Sequence, residues 1–422
     1  MTAVVASVRK RPAWRGLGAQ ILLGMVLGVA LGLLAPSVAL QCKILGDIFL
    51  RLIRTAIAPL VFLSVAAGIV SAGDFRRVGK LGLVALVYFE VVSTVALALG
   101  LVAGHLLGVG QGTTLPPPVA SPAVGRGALP NAADFILNIF PDNFIGAFTR
   151  GELLQVLVVA LIFGAAILRL SRARRAPVER GLSVASDALF EFIHIIMALA
   201  PIGTFGAIAF AVAASGTAVL LSLAYLVVSF YAVVIMFIVV VLGLVCAAAG
   251  LNIFRLLSFI REEIYLVLGT ASSESALPRL LERLPLLGCS RQAVGLVLPT
   301  GYAFNLDGTA IFMTMSTVFL ANAYHVPLTW GQELGIVAVM LLTSKGAATV
   351  SGGSFVVFAA TITTTGVLPI EGLPILFGVY RFLSIAVATT NVIGNSIAAV
   401  VTAKLCGEFN PAEAFDADPA GT

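Results

Sequence analysis

Apolar positions run through this chain in blocks long enough to cross a bilayer, which takes about 20 residues as a helix. The blocks fall near 16–35, 44–72, 81–108, 152–171, 184–213, 217–250, 292–323 and 373–405. Their length predicts spanning helices. Two further stretches are apolar but interrupted. Residues 256–288 carry TASSESALP, and residues 333–368 carry TSKGAATVSGGS. The Pro-rich break at 109–133 reads as an extramembrane loop. The first block follows a basic flank. A cleaved signal peptide would have a shorter apolar core, roughly 7–15 residues, so the block is read as a retained first helix.

Charge gives these blocks a direction. Basic residues cluster before the first block (Arg9, Lys10, Arg11, Arg15), after the second (Arg76, Arg77, Lys80), after the fourth (Arg172, Arg174, Arg175, Arg180) and on both sides of 256–288 (Arg255, Arg261, Arg279, Arg283, Arg291). The loops between are almost bare, with only Arg126 in 109–133. This is the positive-inside pattern. It places residues 1–15 and the tail, 409–422, in the cytoplasm, and accounts for the net charge of +5 without a nucleic-acid partner. Charged residues make up 11% of the chain, against about 25% in soluble domains, so a soluble enzyme is excluded. The four cysteines and three histidines are scattered, and their spacing points to neither a disulfide framework nor a metal centre.

The orientation has a topological consequence. Segment 256–288 has both ends on the cytoplasmic side, and 333–368 has both ends outside. Each is expected to dip into the bilayer and return, turning at its small polar residues. Non-helical backbone survives at that depth only beside protein or a water-filled cavity. Each hairpin is followed by a spanning helix expected to be broken, at NLDGT (305–309) and at NVIGN (391–395). Two opposed hairpins with two broken helices predict an inverted repeat around a midplane site.

Asp307 is the sharpest candidate. A carboxylate at the bilayer centre costs roughly 2.5–3.5 kcal/mol on the insertion scale; a bound cation or proton is the usual partner that offsets it, and a structural Asp paired with a helix dipole or a basic residue is the alternative. Asn305 adds an amide oxygen, and Gly308 permits unwinding. The hydroxyls of TASSESALP, at a hairpin tip, suit a carboxylate ligand. Glu274 beside that tip is a candidate proton site or a partner for Arg279. Glu90, within YFEVVSTVAL, is a second candidate proton site, with a structural role as the alternative. Gly346, Gly352 and Gly353 make the second hairpin a candidate lid. Ser344 and Lys345 could form a catalytic dyad, but adjacent residues on one helix do not face each other.

The stretches LGTASSESALPRLL, NLDGTA, LLTSKGAATVSGG and TNVIGN, with APIGTFGAIAF and APLVFLSVAAGIV, resemble the dicarboxylate/amino acid:cation symporters, the glutamate transporter family, over about 15–408. SSESALPR, SKGAA and YFEVVSTVAL are most similar to the bacterial four-carbon dicarboxylate carriers. The resemblance implies an all-α integral membrane fold of eight transmembrane helices and two re-entrant helical hairpins. In such a fold residues 16–250 hold six helices, the third and sixth belonging to the moving domain, and 251–408 form the core transport region. It further implies a homotrimer working as an elevator in the cell inner membrane, with no cofactor beyond a coupling proton or sodium ion. Carried over by residue, Ser272, Ser273, Thr309, Val350, Gly352, Ser384, Val387 and Asn391 would bind substrate. Gly301, Asn305, Asp307, Asn391, Asn395 and Ser93 would bind the coupling ion. Acidic-substrate members carry Arg where this chain has Val387, commonly Asp where it has Tyr380, and usually Gly where it has Thr349 and Ser354. The first hairpin has Ala271 where Ser or Arg is usual. The expected function is import of a small organic anion, foremost succinate, fumarate or malate. A neutral amino acid or monocarboxylate remains the alternative substrate, and an uncoupled anion channel the alternative class. Asn395, neutral where sodium-coupled members usually have Asp, favours protons as the driver.

Overall fold

A computed structural model describes residues 17–75, 80–113, 115, 140–149, 153–344 and 353–410. Within them the chain is helical, and the only extended pairing is one isolated bridge between Cys289 and Phe409. The helices are α1 (Leu17–Leu34), α2 (Pro36–Gln41), α3 (Lys43–Phe75), α4 (Lys80–Leu106), α5 (Phe144–Thr149), α6 (Leu153–Leu168), α7 (Arg172–Met197), α8 (Ala200–Ser215) and α9 (Ala218–Met236). A π-helical turn, Phe237–Leu242, joins α9 to α10 (Gly243–Ala248). There follow α11 (Ile253–Phe259), α12 (Arg261–Thr270), α13 (Leu277–Leu286), α14 (Arg291–Phe304), α15 (Asp307–Ala323), α16 (Trp330–Thr343), α17 (Gly353–Thr365) and α18 (Leu373–Cys406).

Among the described residues four helical segments are long and apolar enough to span a membrane: Lys80–Leu106, Ala218–Ala248, Arg291–Ala323 and Ile370–Cys406. Pairing the bent segments Ala173–Met197 and Ala200–Ala214 makes a fifth. Apolar packing alone does not drive association in lipid, so close backbone approach matters. Gly24, Gly28 and Gly32 recur every fourth residue on α1, and a methyl on any of them would run into α8. Gly100 and Gly104 let α4 lie along α15, where an added carbon would meet Thr314 and Val318.

The two interrupted segments are both helical hairpins. In the first, α12 and α13 meet through a short 3-10 turn, Ser273–Ala276. Ala271 ends α12 in the left-handed region, φ 51°, a conformation that costs a non-glycine residue roughly 1–2 kcal/mol. Hydroxyls fasten this tip. Thr270 Oγ1 lies 3.0 Å from Ser275 Oγ, and Ser275 Oγ donates to the Ser272 carbonyl at 2.7 Å. At the other end, Arg279 and Arg283 of α13 pair with Glu262 and with the buried Glu263 of α12. In the second hairpin, the last residue of α16 meets the middle of α17 through Thr343 and Thr361 hydroxyls 2.9 Å apart. Residues 345–352, between α16 and α17, lie outside the described residues, and with them Lys345, Gly346, Thr349, Val350 and Gly352.

The helix holding NLDGT is broken as expected. Asn305 (φ −125°, ψ 74°) and Leu306 (φ −106°, ψ 66°) leave helical geometry between α14 and α15. The helix holding NVIGN is not broken, and here the expectation is corrected: α18 is one helix through 391–395. Thr390 and Ser396 donate to carbonyls four residues back, and Gly394 has no positive φ. Nothing in that stretch draws the backbone out of its own ladder.

Candidate functional site

The break between α14 and α15 frees the amides of one helix start and the carbonyls of one helix end. The buried side chains around it come from four helices. Ser93 of α4 donates to the Phe304 carbonyl at 3.4 Å. Asn391 of α18 accepts from the Gly308 amide at 2.8 Å, capping α15 from outside the helix. Its Nδ2 donates to Thr309 Oγ1 at 3.3 Å. Thr309 in turn lies 2.8 Å from Ser354 Oγ, at the start of α17.

Asp307, the first residue of α15, is 0% exposed. An acid at this position is favoured by the positive end of the helix. Asn305 Nδ2 donates to Asp307 Oδ2 at 3.1 Å and to Asn395 Oδ1 at 3.2 Å. Tyr88 of α4 lies within electrostatic reach of Asp307. Three buried polar atoms of this cluster have no hydrogen-bond partner: Asn305 Oδ1, Asn395 Nδ2 and Tyr88 Oη. A buried polar group left unpaired costs about 1–3 kcal/mol, so an amide oxygen and a phenol oxygen unpaired beside one carboxylate match the oxygen ligands of a hard cation. Among the described residues no group of three or more His, Cys, Asp or Glu side chains could hold a metal ion. Any cation here must therefore rely on neutral oxygens around Asp307.

Two glycines make the cluster geometrically possible. A methyl on Gly301 would overlap the Asn395 amide, and one on Gly394 would overlap the Asp307 carboxylate. Overpacking of this kind costs about 1–3 kcal/mol. Gly394→Ala is therefore expected to lower the detergent melting temperature measurably. A variant melting with the parent would show that α18 does not press on Asp307.

The structure thus brings together Ser93, Gly301, Asn305, Asp307, Thr309, Asn391 and Asn395. Ser273 is buried and held by Tyr302, whose hydroxyl donates to its carbonyl at 2.9 Å. Ser272 is half-buried beside it. Ser384 and Val387 are buried on α18, and the Ser384 hydroxyl donates to the Arg381 carbonyl at 2.9 Å. Glu90 and Glu274 are exposed, so neither carboxylate is buried with Asp307. Arg279 is engaged by Glu262 and Glu263 on the facing arm. Val350 and Gly352 lie outside the described residues. Tyr88 and Tyr302 join the site without any sequence motif to announce them. A hydroxyl-bearing aromatic inside an apolar span was the one signal that could have flagged them.

A buried helix broken beside a buried carboxylate, Asp307, with neutral oxygens around it, is the arrangement of a membrane transport site. The model of the sodium:dicarboxylate symporter family matches residues 17–405, and the chain belongs to that family. Among its relatives, a C4-dicarboxylate transport protein of Solibacter usitatus is 46% identical over 395 residues, covering 92% of each chain. One from Anaeromyxobacter sp. is 47% identical over 406 residues, covering 95% of this chain and 92% of the relative. One from Polynucleobacter asymbioticus is 44% identical over 412 residues, covering 96% and 93%.

Proposed function

We propose that this chain is a secondary symporter that imports a four-carbon dicarboxylate together with a cation. The observation that carries the reading is the joining of two buried clusters by one helix start. Asn305, Asp307 and Asn395 lie on one side, and Thr309, Asn391 and the Gly308 amide on the other. A cation neutralising Asp307 removes a charge next to the donors that a carboxylate needs, so the two ligands favour one another's binding. The relatives' names supply the substrate class. Eight spanning helices, a trimeric scaffold, an elevator movement and an inner-membrane location belong to the same reading.

Protons are proposed as the main driver, because a carboxyl such as Asp307 can carry a proton and Asn395 adds no second charge to hold a metal cation. The unpaired Asn305 and Tyr88 oxygens favour sodium as the second reading. The test is uptake of labelled succinate, fumarate and malate into proteoliposomes. External sodium is varied at fixed pH, and a pH gradient is then imposed without sodium. Accumulation driven by the pH gradient alone is expected. A steep sodium requirement with no response to the pH gradient would assign the site to sodium, and absence of accumulation under either gradient would refute symport.

A further inference from the structure

The tip of the first hairpin is shaped from within and placed from outside. The Thr270 and Ser275 hydroxyls bond to each other and to the Ser272 backbone, and so give the tip its shape. Tyr302 gives it a place. This residue is buried in the last turn of α14. Its hydroxyl donates to the Ser273 carbonyl at 2.9 Å, joining positions 29 residues apart in the chain. Ser273 is itself 1% exposed, so the bond is made away from water, where a lost partner costs most. The same turn of α14 frames the carboxylate cluster. Gly301 closes on the Asn395 amide, and its carbonyl accepts from the Asn305 backbone amide at 2.8 Å. The Phe304 carbonyl accepts from Ser93. The hairpin tip is therefore tied to the helix end that leads into Asn305 and Asp307.

We infer that Tyr302 is a positioning residue for the substrate: its hydroxyl fixes the Ser272–Ser273 tip on α14 and thereby sets affinity for a carboxylate. It acts through the tip. A tip held in place before binding spares the ligand the cost of ordering it. Without the hydroxyl, the tip keeps its internal bonds but loses its fixed place on α14, and each binding event must order it again. The affinity part rests on the symport reading above, while the tether itself does not.

The test uses the full chain, with Tyr302→Phe to remove the hydroxyl and keep the ring, and Tyr302→4-aminophenylalanine to restore a donor at the same place. Hydrogen–deuterium exchange over residues 270–277, without substrate, should be faster in the Phe variant and return toward the parent in the amino variant. With succinate, the Phe variant should show KM raised ~2- to 10-fold, the net worth of one neutral hydrogen bond. Its maximal rate should stay within about twofold, the split that separates a binding effect from a transport-step effect. The amino variant should recover the parent's KM. Unchanged exchange in the Phe variant overturns the tether whatever the protein transports. Faster exchange with an unchanged KM overturns the positioning role, and so does a raised KM that the amino variant fails to restore. A Phe variant that does not fold, beside an amino variant that does, would make the bond a requirement of folding and overturn that role as well. If the parent moves no dicarboxylate, the symport reading fails, and the exchange experiment still decides whether the tether exists.

Discussion

Asp307→Asn is expected to reduce gradient-driven accumulation to background while leaving a folded, detergent-stable protein. The substitution keeps the shape of a side chain that is fully buried and bonded to Asn305. It removes the one carboxylate of a cluster whose other members are neutral. A unit charge about 4 Å from a cation contributes about 4 kcal/mol at an effective dielectric near 20, or roughly a thousandfold in cation affinity. No neighbour can replace that. Asn395 and Asn305 supply amides, and Glu90 and Glu274 are exposed elsewhere. Folding should tolerate the change, because removing a buried charge also removes its desolvation cost. The measurement is labelled-succinate accumulation under imposed proton and sodium gradients, beside a thermal unfolding curve. Accumulation at the parent's level would sink Asp307 as the coupling residue. Loss of both accumulation and fold would assign it a structural role.

How much of this was legible beforehand depended on how far apart in the chain the causes lay. Both hairpins were readable because a run of small polar residues inside apolar surroundings has few outcomes at membrane depth. The break at 305–306 was readable for the same reason, with Asp307 marking it. The expected break at NVIGN does not occur, because α18 runs unbroken through 391–395. Asn391 and Asn395 are one turn apart, and their side chains reach across to Gly308 and Asn305 without turning onto their own backbone. Gly394 serves to admit the Asp307 carboxylate. The two motifs share a site, not a backbone shape. The contact of Ser354 with Thr309 spans 45 positions of sequence, and no local pattern announces it. Tyr88 was hidden for a similar reason, since its relation to Asp307 exists only once α4 lies beside α15.

Val387→Arg is expected to raise affinity for a dicarboxylate about 10- to 100-fold. Val387 is 3% exposed and stands one helical turn before Asn391, on the side of α18 whose backbone packs against Gly308. A guanidinium there would lie next to the Thr309 and Asn391 donors. Hydrogen bonds to a charged group contribute roughly 1.5–3 kcal/mol net, and a planar fork suits a carboxylate better than any other side chain. Without ligand, the same Arg would be a buried cation lacking its carboxylate, so the variant should melt below the parent. Succinate should then restore its melting temperature by more than it raises the parent's, because ligand binding to the folded state alone stabilises it. Two measurements check this: melting with and without succinate, and competition of labelled uptake by succinate, malate, aspartate, serine and lactate. If the parent already prefers succinate, a different cation must meet the second carboxylate. Arg381, half-buried one turn before Ser384 on α18, is then the group to remove. If the parent prefers serine or lactate, Val387 itself is the reason, and the Arg variant should turn toward succinate. Tight succinate binding by the parent, unchanged by Val387→Arg and by Arg381→Ala alike, would show that the second carboxylate does not lie along this face of α18.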